Sequence, residues 1–331
     1  MFWLVSMLGL AALSSIILVG DEAADNDGNR DLDGAEPGTG LEDLLAEDGD
    51  ADTEAVPEVQ GGDGPDVMVG TRRADVMSGG SGADEINGYD GADWLGGGEG
   101  ADTLYGAAGD DTLAGGAGAD LLHGGDGIDL LRGGEAGDRL YGHFGGDLLS
   151  GGAGADLLHG GQGADVLEGG AGADSLHGND GDDTLRGGAG EDALFGGYGD
   201  DLVSGAGDAG ARDYVNGGGG ADTLLAGEGD VLTGGAGADL FVGGAWTGSE
   251  EAVQLIDYDA AEDQLVLVWD AEDSDPEVEV QDDPEAPDNR LILVNGAVAL
   301  RISGEPSLSA ADVAVMDSES AAQSGLLPAA S

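Results

Sequence analysis

An aspartate stands at every ninth position from Asp66 to Asp201, sixteen times without a slip. The odd-numbered members are Asp66, Asp84, Asp102, Asp120, Asp138, Asp156, Asp174 and Asp192. The even-numbered members are Asp75, Asp93, Asp111, Asp129, Asp147, Asp165, Asp183 and Asp201, and two later units add Asp222 and Asp239. Carboxylates can do acid–base work or give hard oxygens to a cation. Neighbouring acids such as Asp110 and Asp111 are so abundant that they single out no acid–base pair. A strict period points instead to a repeated oxygen-donor site.

The repeat that carries these residues runs from Gly61 to Ser204 in units of nine, as in GGAGADLLH at 151–159 and GGQGADVLE at 160–168. The sixth position is Asp and the eighth is Leu, Ile, Met or Val in all sixteen units. Glycine favours the first, second and fourth positions, where positive φ and close backbone approach exclude a side chain. The spacing predicts six turn residues followed by a three-residue strand. The eighth side chain then points inward while the seventh and ninth point out. Two units make one coil, so coils stack about 4.8 Å apart and the aspartates fall into two columns, one along each edge.

Each such column is a ladder of like charges unless a cation lies within it. Calcium takes six to eight oxygens and accepts carboxylates and backbone carbonyls together, whereas magnesium demands tighter octahedral geometry. Residues 61–242 hold 34 acids and 6 Arg, a net of −28. The sixteen units in register allow 16 − 2 = 14 gaps between successive turns of a column, so one dication per gap carries +28. More than ten calcium ions per chain are therefore expected.

The nonapeptide resembles the glycine-rich Gly-Gly-x-Gly-x-Asp-x-apolar-x unit of repeats-in-toxin (RTX) proteins, over Gly61–Val242. That resemblance implies an all-β fold, a right-handed parallel β-roll, with each calcium held between turns n and n+2 by their Asp and carbonyl oxygens. Two units depart from the pattern: Arg72 and Arg73 occupy the turn before Asp75, and Ala136 replaces the fourth-position glycine before Asp138. An insertion at 205–216 and a deletion at 226–233 are expected to distort the coil locally.

Outside the repeats the chain divides into an apolar segment 1–20, an acidic spacer 21–60 and a tail 243–331. Residues 2–20 carry no charge and are long enough to cross a bilayer core, so a membrane anchor or export signal is expected there. The spacer has 15 acids, one Arg and little to bury, which predicts a solvated linker. The tail reads as a small β-rich cap. Short strands are expected at 253–258, 264–269 and 278–280, with a hairpin at Asn295-Gly296 and a helix after Ser309. Its Asp259–Leu265 stretch resembles the capping segment that follows RTX repeats, and Trp246 and Trp269 are expected in the cap core.

Composition closes off several functions. The chain carries 69 Asp and Glu against 9 Arg and no Lys, a net charge of −60. Nucleic-acid binding needs a basic face, and a Walker phosphate loop needs its lysine, so both are excluded. The absence of cysteine removes disulfides and thiolate zinc sites. No His-Glu-x-x-His or Gly-x-Ser-x-Gly motif occurs, so a non-enzymatic role is expected. The expected function is calcium binding by a secreted or surface-displayed roll with a structural or adhesion role. Its partner would be a cell-surface or extracellular-matrix component, with membrane contact only through residues 2–20. The alternatives are the non-catalytic part of a pore-forming toxin system and an enzyme with an unrecognised site in 243–331.

Two outer stripes complete the reading. The ninth positions of odd units run Tyr105, His123, Tyr141, His159, His177, Phe195, which predicts a stacked ladder more readily than a metal-binding row. The seventh positions of even units, among them Trp94, Leu130, Leu148 and Val166, make an apolar outer face for the tail or a partner to cover.

Overall fold

The computed structural model describes residues 15–18, 58–207, 211–244, 252–269, 276–305 and 307–323. Strands from odd units line up parallel in a 15-stranded sheet, and strands from even units in a facing 13-stranded sheet. The chain alternates between the sheets at each unit, the parallel β-roll that the nine-residue period predicts. Neighbouring strands are in register eighteen residues apart, as in Leu158 against Leu176 and His159 against His177.

The core is one row of eighth-position side chains from each sheet. From Met68 to Val203 these are 0–2% exposed. Each buried Leu contributes about 1.5–3 kcal/mol of hydrophobic stabilisation. The seventh and ninth positions point outward, giving patterns such as that of Leu157–Gln162, in which buried and part-exposed residues alternate.

The strands are longer than the spacing predicts. Leu157–Gln162 and its equivalents extend through the first three residues of the next unit, so the turn shrinks to positions four to six. The reason is that the first-position glycine is also turned inward and continues the ladder. A Cβ on Gly169 would lie 2.5 Å from Asp174 Oδ2 and 2.6 Å from the Gly187 carbonyl oxygen, so only glycine fits.

The insertion and deletion leave the coil in step. Spacings of 21 and 17 residues replace 18, yet the amide of Asp192 still donates to Asp213 Oδ1 at 2.8 Å, and that of Asp213 to Asp230 Oδ1 at 3.0 Å. Among the described residues the distortion shows as shorter strands at Leu202–Ser204 and Thr223–Ala226. The roll also begins before Gly61, because Glu58–Gln60 pairs with residues 76–78.

The tail closes the far end. Val253–Leu255 extends one sheet and Gln264–Trp269 the other. Arg290–Val294 and Ala297–Ile302 form the expected antiparallel hairpin, with Asn295 and Gly296 at φ 52° and 82°. The helix expected after Ser309 is a correction: Ala310–Asp312 is a single 3-10 turn, and Val313–Asp317 is a strand beside Gln264–Trp269. It is an apolar run whose first residue, Val313, is buried, and it pairs in parallel with Gln264–Trp269 along its whole length. A short helix, Ser318–Gln323, follows. Trp269 packs part-buried against the core, while Trp246 lies outside the described residues.

Of the apolar segment, Ser15–Leu18 pairs as a parallel strand with Asp66–Val69. Among the described residues no helix is long and apolar enough to cross a membrane.

Candidate metal centre

All sixteen period-nine aspartates, with Asp222 and Asp239, are buried, at 0–4% exposure. The fold explains why. The sixth residue ends the turn, with its side chain turned inward and its backbone already in the ladder. The Asp156 carbonyl, for instance, accepts from the Ser175 amide at 2.9 Å.

Each carboxylate has two unlike oxygens. Oδ1 accepts the backbone amide of the aspartate one coil earlier: Asp66 donates to Asp84, Asp84 to Asp102 and Asp138 to Asp156, at 2.7–2.8 Å. On the other edge Asp75 donates to Asp93 and Asp147 to Asp165, both at 2.8 Å. Oδ2 is buried and has no hydrogen-bond partner in every unit from Asp84 to Asp183, and again in Asp201 and Asp222. A buried polar atom without a partner costs about 1–3 kcal/mol, and more when charged. A column of such atoms calls for a ligand.

The electrostatics agree. Burial pushes Asp93, Asp102, Asp111, Asp174, Asp183 and Asp222 up to about 6. It pushes Asp129, Asp138, Asp165 and Asp201 up to about 7. The amide hydrogen bond opposes this, and repulsion from the column neighbours adds to it, as Asp147 and Asp183 do on Asp165. Asp84, Asp120, Asp147, Asp156 and Asp239 are raised for the same leading reason.

The donor chemistry fits a hard dication. Among the described residues no three His, Asp or Glu side chains meet in one place. An ion between two turns of a column therefore meets at most two carboxylates and must complete its shell from carbonyls and water. Backbone carbonyls lie close by: the Gly187 oxygen, in Thr184–Ala189, and Asp174 Oδ2 both border the space that a Cβ on Gly169 would take. Calcium accepts such mixed oxygen shells, while softer metals prefer imidazole and thiolate.

The first turns differ. Asp66 Oδ2 accepts from the Gly62 amide at 2.7 Å, and Asp75 Oδ2 from the Thr71 amide at 2.6 Å and the Thr71 hydroxyl at 3.1 Å. These ends are capped by their own turns. Ala136 takes φ 76°, yet the Asp138 amide still reaches Asp156.

Three column members escape a strict count of nine. Asp213 and Asp230 continue the odd column across the insertion and deletion, and Asp263 continues the even one, accepting from the Asp239 amide at 3.0 Å. Each is followed by the same local signature, an apolar residue two positions on: Val215, Leu232 and Leu265. That signature finds them where the count fails.

On the outer face the histidines are stacked. Tyr105, His123, Tyr141, His159, His177 and Phe195 lie 4.7–5.3 Å apart with ring planes within 10° or 11° of parallel. His143 joins from the next column, its Nε2 2.9 Å from His123 Nδ1, and takes φ 81° where most units have glycine.

The RTX calcium-binding nonapeptide repeat (4 copies) matches residues 60–95, 87–122, 96–131, 123–158, 132–167, 141–176, 177–211, 210–230 and 229–245. No curated protein sequence matches the chain. Among solved structures, the extracellular lipase LipA from Serratia marcescens is similar at 16% identity and a TM-score of 0.21, over 76% of this chain. The match spans 40% of the lipase's length.

Proposed function

The chain belongs to the RTX calcium-binding nonapeptide repeat family, and from that premise we propose that it is a non-enzymatic, exported protein whose roll condenses on binding more than ten calcium ions. The observation that carries this reading is the pair of columns of buried, partnerless Oδ2 atoms. Without a cation they oppose folding.

The residues that would hold the ions are the successive aspartates of each column, with Asp213 extending the set, together with backbone carbonyls; Asp230 and Asp263 end the columns, their Oδ2 atoms accepting from the Gly227 and Asp259 amides. Calcium supplies the positive charge that lets adjacent carboxylates stay ionised inside the roll. Binding free energy then becomes folding free energy. Where calcium is scarce the acidic chain stays expanded, a state suited to export. Where calcium is plentiful, as outside cells, weak sites in number suffice.

The role we infer is structural or adhesive, with the protein secreted or displayed at a cell surface, and residues 1–20 serving as its signal or anchor. An adhesive role would engage a cell-surface or matrix component. A calcium titration followed by circular dichroism and native mass spectrometry tests this. The expected result is cooperative appearance of β-structure with more than ten ions bound. A roll that is fully folded in excess chelator at neutral pH, or that binds only one or two ions, overturns it.

A further inference from the structure

The outer face of the even-unit sheet is part apolar, and the described residues of the cap leave it uncovered. Leu148 is 48% exposed and Val166 39%. Seven successive strands, from Trp94–Glu99 to Leu202–Ser204, carry it. The described tail packs at the end of the roll and leaves this face open.

The pattern on the three central strands of the face is self-complementary. Leu130, Leu148 and Val166 are paired in register on neighbouring strands, and two residues on so are Arg132, Ser150 and Glu168. Consider a two-fold axis parallel to the strands at Leu148–Ala153. It sets Leu148 against the second copy's Leu148, Leu130 against Val166, and Arg132 against Glu168, twice over. Opposite charges meet on both sides of the axis, with Ser150 between them, and the apolar residues meet two positions back along the strands. Beside them the second-position glycines, Gly134, Gly152 and Gly170, carry no side chain to hold two sheets apart.

The face is large enough. Six strands of six residues and one of three, at about 4.8 Å between strands and about 3.3 Å per residue, make a patch of about 600 Å² per partner. That is at the lower end of the range of specific interfaces.

We propose that two copies of this chain pack face to face through the even-unit sheet, with Arg132 of one copy pairing with Glu168 of the other. The inference rests on the calcium-condensed roll, since only the folded sheet presents the pattern, and calcium also removes the repulsion between two repeat regions of net charge −28.

The test uses the full chain in calcium, with analytical ultracentrifugation for mass and circular dichroism for folding. The parent should sediment as a dimer. Arg132→Glu alone and Glu168→Arg alone each set like charges together at both contacts, and should weaken dimerisation by at least about tenfold. The double variant, R132E with E168R, should restore it. A chain that is folded yet monomeric, or a dimer indifferent to the single variants, overturns the proposal. A chain that fails to fold in calcium shows instead that the calcium reading on which it rests has failed.

Discussion

The backbone amide of Asp156 donates to Oδ1 of Asp174, eighteen residues on, at 2.8 Å, while Oδ2 of the same Asp174 carboxylate is buried with no partner. One oxygen holds the neighbouring coil, and the other is the one left for the cation of the proposed function. This division separates what a substitution does to the empty fold from what it does to the loaded one.

Asp165→Asn keeps an oxygen for the Asp147 amide and removes a buried charge. Without calcium it should stabilise the roll, by on the order of 1 kcal/mol or more at neutral pH, since a unit of pKa shift corresponds to about 1.4 kcal/mol. With calcium it should weaken binding in its column and destabilise the loaded protein. Asp48→Asn in the spacer should do neither. Chelator and calcium denaturation curves, compared for each variant, check the opposite signs.

The pH dependence follows from the raised carboxylates. Asp129, Asp138, Asp165 and Asp201 titrate near 7 in the folded chain against about 3.8 when unfolded. The folded apo state thus binds more protons than the unfolded one between those values. Its stability should be fully present below about pH 4 and fall as pH rises through 6 to 7. Acid should therefore promote the calcium-free roll, and calcium binding near pH 6 should release protons. Far-ultraviolet circular dichroism of the chelated protein from pH 4 to 8, with calorimetry in two buffers of different ionisation enthalpy, measures both. Less β-structure in the chelated protein at pH 4.5 than at pH 7.5 refutes the assignment.

The histidine ladder should work in the other direction. Burial lowers His123, His159 and His177, and neighbouring imidazoles add to this for the first two. Their contribution is present above about 6.5 and is lost as pH falls through the lowered folded value. His159→Tyr keeps a stacking ring and removes the titration. Relative to the parent, its melting temperature in saturating calcium should rise as pH drops from 7 to 5. A constant difference across that range argues against the ladder as a titrating element.

Glycine replacements separate packing from periodicity. Gly169→Ala would drive a methyl group against Asp174 Oδ2 and the Gly187 carbonyl, both within 2.6 Å. Overpacking of this kind costs about 1–3 kcal/mol. Gly219→Ala meets only Tyr198 Cδ1, at 3.8 Å, and should be nearly neutral. Thermal melts in saturating calcium distinguish them.

The period of nine was enough to place both sheets, the inward row from Met68 to Val203 and the aspartate columns, because each coil repeats one local rule. What it concealed lies where a second force acts. The strands run into the glycines because the neighbouring coils supply ladder bonds that no single unit reveals. The Val313–Asp317 segment is a strand because it meets the exposed edge at Gln264–Trp269, a long-range partner. The two oxygens of each aspartate differ only once the coils are stacked. Asp213, Asp230 and Asp263 fall outside the count because their turns differ in length, while the bond each accepts from the coil before is preserved.

That continuity makes Asp213 a working member of the column. Its Oδ1 accepts from Asp192 at 2.8 Å and its amide donates to Asp230 at 3.0 Å, so the chain of amide-to-carboxylate bonds is unbroken across the insertion. Asp213→Ala removes a carboxylate shared by two successive gaps. It should lower the bound calcium count by one or two ions, as Asp156→Ala does in the regular region, and raise the calcium concentration at which the last coils fold. Native mass spectrometry gives the count, and hydrogen exchange over 192–244 gives the local folding. If Asp213→Ala leaves both unchanged while Asp156→Ala alters them, the column ends at the insertion and the units beyond it fold on hydrophobic packing alone.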